Sequence, residues 1–146
     1  MESIIITKIC RLVVPFIQLY GLYIVFHGHL TPGGSFSGGA ILGSSMILFV
    51  LAFGIEEGKK IMPDQLSKRI EIGGVLWFWA LGIIGVLVGA NFLANRASGI
   101  PLGAPGELFS SGLILFITVG LGLKVASTLM SLFLKLAESE GESYGD

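Results

Sequence analysis

The chain has 146 residues, with 53% hydrophobic and 13% charged residues, well below the ~25% charge of a soluble domain. That balance, gathered into runs of about 20 apolar residues, excludes a soluble globular protein and points to one built into a bilayer. A net charge of −1 offers nucleic acid no basic surface, and the single Cys10 excludes an internal disulfide or a cysteine metal cluster.

The first apolar span covers residues 9–26 and contains Pro15 and Gln18. Lys8 and Arg11 at its start give it the look of a signal peptide, but no small-x-small cleavage site follows, so it is expected to stay as a membrane helix. Residues 27–43 then read His-Gly-His-Leu-Thr-Pro-Gly-Gly-Ser-Phe-Ser-Gly-Gly-Ala-Ile-Leu-Gly. Lipid cannot hydrogen-bond an interrupted backbone, so this Gly/Pro turn belongs at the membrane surface or against protein. The second span, 36–55, carries no charge before its end.

Residues 56–71 form a charged loop in which Pro63 and Asp64 signal a helix start. A third span follows at 72–93, then a second Gly/Pro loop at 96–107 holding Pro101 and Pro105. The fourth span covers 108–134, with Glu107 at its start and Lys124 inside it. Residues 137–146 are acidic and small, and are expected to be a disordered tail. The expected fold is therefore all-α, an integral membrane bundle of four transmembrane helices within residues 1–136.

Basic residues set the orientation. An even number of spans puts Lys8, Arg11, Lys59, Lys60, Lys68, Arg69 and Lys135 on one side and only Arg96 on the other. Lys and Arg collect in cytoplasmic loops, so both termini are expected in the cytoplasm, in a multi-pass cell-membrane protein.

Small residues four apart let helices approach closely. Gly34 with Gly38, Gly39 with Gly43, and Gly85 with Gly89 make such stripes. They suit either docking of partner subunits or packing among the four helices. Lys124 is the full charge inside a span; it either snorkels to the surface or is buried and paired. The sequence shows no carboxylate at mid-span, so a partner for it would come from another subunit. Asn91 and Gln18 suit interhelical hydrogen bonds. His27 and His29 suit capping of the outer turn, or proton handling near neutral pH. No further ligands stand near the two histidines, so no metal site, cofactor site or catalytic constellation is expected.

The runs Val13-Val14-Pro15-Phe16, Gly21-Leu22-Tyr23 and His27 to Gly39, with Gly103 to Gly112 and Gly120 to Val125, resemble the MnhB/MrpB family. Its members are small subunits of multisubunit sodium/proton antiporters, and the module is shared with archaeal membrane-bound hydrogenases. Ser35 stands where the family usually has a third glycine. The resemblance implies a four-helix subunit without redox chemistry or an active site of its own. It implies other membrane subunits as partners, with Na+ and H+ at the interfaces between them. Lys124 falls in the family's GLK-type position. Two other readings compete with that one. In the first, the chain is a self-sufficient homo-oligomeric channel or transporter lined by Lys124, Asn91 and Gln18. In the second, it is an anchor that recruits a soluble partner through the 56–71 loop.

Overall fold

A computed structural model describes residues 4–30, 33–88, 91–93 and 112–143. The 96–107 loop, Gly89, Arg96 and Glu107 lie outside the described residues. Five helices follow in order: α1 (Ile4–Phe26), α2 (Gly34–Phe53), α3 (Ile55–Ile61), α4 (Asp64–Leu87) and α5 (Leu113–Ser143). Among them α1, α2, α4 and α5 are long and apolar enough to cross a membrane, which matches the four spans expected.

The four long helices pack as a row rather than a closed ring. α1 lies on α2, α2 on α5 and α5 on α4, with a light contact between α1 and α5. α5 sits inside the row, and its buried positions show why. Leu115, Thr118, Gly122, Ala126, Met130 and Leu134 recur every three or four residues along one helix face. On the outside of the row, Leu12, Phe16 and Leu19 of α1 and Leu76 and Trp79 of α4 are exposed, as lipid or partner contact requires.

The glycines of α2 are used within the chain. A Cβ at Gly38 would lie 2.6 Å from Val25 of α1, and one at Gly39 would lie 2.5 Å from the Gly122 oxygen of α5. Gly43 closes on Leu129 at 3.0 Å. Adjacent glycines thus serve opposite neighbours, and α2 can be held between two helices at once. The α1–α2 turn relies on the same property. Gly33 and Gly34 have φ of 104° and 58°, a region L side chains avoid. A Cβ at Gly28 would come within 3.1 Å of the Gly34 backbone.

Several boundaries differ from those expected, among them the start of α1 at Ile4, five residues before the span read from residue 9. α4 begins at Asp64, eight residues before the expected span, so Ser67 and Glu71 belong to the helix and not to a loop. Pro63 and Asp64 signal that start; the apolar run was expected only from residue 72 because Lys68, Arg69 and Glu71 are good helix formers but dilute hydropathy. At its other end α4 stops at Leu87, and the chain turns back so that Phe92 lies over Gly82. Asn91 is therefore in the turn after the helix, exposed, and not within the span. Finally, α5 continues to Ser143 through much of the stretch expected as a disordered tail. Glu138 of that extension pairs with Lys59 of α3, which ties it to the loop helix.

Candidate functional site

The polar chemistry of the described residues converges on the seam between α4 and α5. The two helices run antiparallel, with Ser67 beside Ser127 and Ser131, Gly74 beside Lys124, and Trp77 beside Gly120. Residues four apart share one face of a helix, so Ser67 and Glu71 of α4 together meet Ser127 and Ser131 of α5.

Ser67 Oγ lies 2.8 Å from Ser127 Oγ and also hydrogen-bonds Ser131 Oγ. Ser131 Oγ donates to Glu71 Oε1 at 2.9 Å. Ser127 Oγ donates to the Ser67 carbonyl at 3.2 Å. Ser67 and Ser127 are only 4% and 1% exposed. Hydroxyls in such a place substitute for the water a membrane interior lacks, and each interhelical bond contributes about 0.6 kcal/mol. Glu71, half-buried, lies seven residues from the Asp64 start of α4, about 10 Å along the axis. It places a carboxylate within a membrane-crossing helix, where none was expected because the residue was assigned to the charged loop.

Lys124 is one turn further along α5 from this cluster. Its stem lies against Gly74, where a Cβ would come within 2.9 Å. Lys124 is 11 residues from the Leu113 start of α5, about 16 Å along the axis, inside a helix long and apolar enough to cross a membrane. Among the described residues its ammonium has no hydrogen bond and no carboxylate within 4.0 Å. Glu71, nearby on α4, is turned to the serines instead.

The same seam forms one wall of an apolar groove of about 580 Å³. Gly73, Gly74 and Trp77 of α4 face Phe116, Gly120 and Leu123 of α5 across it. Trp77 is fixed as a wall by its indole N–H, which donates to the Phe116 carbonyl at 3.0 Å. Gly120 makes room for that ring, since a Cβ there would be 2.5 Å from Trp77 Cδ1. Gly73 has open space around it, with nothing within 4 Å of a built Cβ.

The other residues singled out from the sequence are scattered. Gln18 Nε2 donates to Met46 Sδ at 3.7 Å, an interhelical bond between α1 and α2. His27 stacks on Tyr23 with ring centroids 4.1 Å apart, its Nδ1 3.0 Å from the Tyr23 oxygen, and caps the end of α1. His29 is half-buried in the same turn. Asn91 is away from all of these, so Lys124, Asn91 and Gln18 do not line a common path within one chain. The serine cluster was missed for a simple reason. Ser67 was counted with the loop, and Ser127 and Ser131 are legible only as a pair four apart in an otherwise apolar helix.

Four membrane-crossing helices, with a polar seam and an open apolar face, define an integral membrane subunit. Comparison with known proteins gives its lineage. Residues 5–131 match the family model described as "Domain related to MnhB subunit of Na+/H+ antiporter", and the chain belongs to that family. A putative antiporter subunit mnhB2 of Staphylococcus haemolyticus is 30% identical over 93% of this chain and 95% of its own length. Its counterpart in Staphylococcus aureus strain Newman is 31% identical over the same shares. The uncharacterized protein MJ1307 of Methanocaldococcus jannaschii is 34% identical over 75% of this chain, which spans only 42% of that relative. The structure also resembles a chain of the membrane-bound sulfane sulfur reductase, an archaeal respiratory membrane complex. The TM-score is 0.73 with 36% identity, over 88% of this chain and 55% of that one. This protein is thus a membrane protein of the MnhB family, similar to about half of a chain from that respiratory complex.

Proposed function

We propose that the chain is a non-catalytic subunit of a multisubunit sodium/proton antiporter module, either free-standing or coupled to a redox enzyme. In this role it packs beside other small subunits and helps to shape the cation path. The observation that carries the reading is the open row of helices, together with a half-buried Lys124 inside a candidate span that has no carboxylate within 4.0 Å among the described residues. A charge left alone there is costly in lipid and calls for protein or a wet path around it. Both termini, Lys59 and Lys60 face the cytoplasm, as the distribution of basic residues requires. Na+ and H+ then meet this chain at its interfaces with neighbours rather than in a pore of its own.

The test is ion exchange in inverted vesicles from cells expressing the complete host complex, with and without this chain. Loss of Na+-dependent proton exchange on deletion, with restoration by the intact chain, supports the reading. Exchange that persists in full without the chain overturns it. Liposomes holding this protein alone should be inactive; cation uptake by them would favour the homo-oligomeric channel instead.

A further inference from the structure

We infer that the groove between α4 and α5 is the seat of a transmembrane helix from another subunit, and that this helix carries a carboxylate that pairs with Lys124. The inference rests on the reading of the chain as a subunit and specifies which face meets a neighbour. Two independent observations point to the occupant.

The first is shape. The groove runs from Ile70 to Trp77 along α4 and from Leu115 to Leu123 along α5, about 10–12 Å at 1.5 Å per residue. That is two turns of a helix lying alongside. Its floor is open at Gly73, while Trp77 stands as a fixed wall. Small residues at such a face let a second backbone come close, which is how helices associate where lipid removes the hydrophobic driving force.

The second is charge. The groove ends beside Leu123 and Gly74, the residues flanking Lys124 in sequence and in contact. A lipid tail would fill an apolar groove, but the tail itself carries no charge to meet an ammonium inside the span. Glu71 is engaged by Ser131. The α2 glycines that might have docked a neighbour are already closed against α1 and α5. An acidic residue on a helix laid in the groove meets the charge that Glu71, turned to the serines, leaves without a direct partner. Inside a span a charged pair is favoured over an isolated ion.

Gly73 supplies a test that spares the fold. A Cβ there meets nothing in this chain, so Gly73→Leu should leave the isolated subunit at least as stable as the parent while filling the groove. The host complex, purified through a tag on this chain in mild detergent, should then lose about ten-fold or more of one neighbouring subunit. Lys124→Glu should lose the same subunit, and Lys124→Arg should retain it. A photo-crosslinking residue at Leu123 in the otherwise intact complex should join to an apolar segment of that subunit containing Asp or Glu. Reversing that acid to Lys should rescue Lys124→Glu. Crosslinks to lipid alone, to a second copy of this chain, or to a segment without an acid would overturn the inference. So would full assembly of the Gly73→Leu complex. If the tagged chain brings down no other subunit at all, the subunit reading itself fails, an outcome distinct from these.

Discussion

Gly39 is the sharpest point at which the packing can be probed. A methyl group there would sit 2.5 Å from the Gly122 oxygen and 2.8 Å from Val125 Cβ, against the ~3.5–4.0 Å of an ordinary carbon contact. Neither neighbour is the free end of a flexible chain, so α2 and α5 must separate by about 1 Å along their crossing. Overpacking of this kind costs ~1–3 kcal/mol, and a rigid obstacle belongs at the upper end. The gain from replacing a helical glycine offsets ~1 kcal/mol. Gly39→Ala should therefore destabilise the subunit by about 2 kcal/mol, lowering Tm by ~4–8 °C for a chain of this size. Gly73→Ala is the control. It has the same chemical change and the same helix gain, but no obstacle, so Tm should rise by ~2–4 °C. Thermal unfolding of the purified subunit in detergent reads both. Equal shifts for the two variants would refute the packing of α2 against α5.

The seam should behave as a set of modest bonds. Ser127→Ala removes a buried hydroxyl that bonds both Ser67 Oγ and the Ser67 carbonyl and should cost ~1 kcal/mol; an unchanged Tm would count against the cluster. The tie between α3 and the end of α5 should depend on alkaline pH. Its hydrogen bond to Glu138 raises the Lys59 pKa above its ordinary 10.5 against the opposing effect of burial, with further attraction from the Glu138, Glu56 and Asp64 charges. A raised basic pKa means the contribution is complete below 10.5 and fades as pH climbs through the higher folded value. Protease sensitivity of the C-terminal end should thus rise only above that range, and Glu138→Gln should abolish the transition. For orientation, Glu57→Cys should react with a membrane-impermeant thiol reagent only from the cytoplasmic side and Leu30→Cys only from outside, while buried Cys10 stays silent. The opposite sidedness would invert the topology.

The spans themselves were legible because each carries an apolar run of membrane length. Pro63 followed by Asp64 announced the start of α4, and the His27–Gly39 run announced the turn that Gly28, Gly33 and Gly34 shape. What could not be read was the depth of residues near charged ends. Glu71 follows Lys68 and Arg69, so hydropathy assigned it to a loop, whereas helix propensity carries the helix through it. The glycine stripes were visible, but which helix each would face was not. Spacing alone cannot say that Gly38 meets α1 and Gly39 meets α5. Among the described residues the groove depends on α4 packing chiefly on α5, a property of the tertiary arrangement that no local pattern encodes.

The most direct test of a four-helix subunit built into a larger assembly is native mass spectrometry of the chain. It should be expressed at its natural level with its chromosomal neighbours and extracted in mild detergent. The chain should fly as part of a stoichiometric complex with other membrane subunits, from which it is released only on activation. A chain that leaves the membrane as a monomer, or as a ring of identical copies, would contradict that assignment.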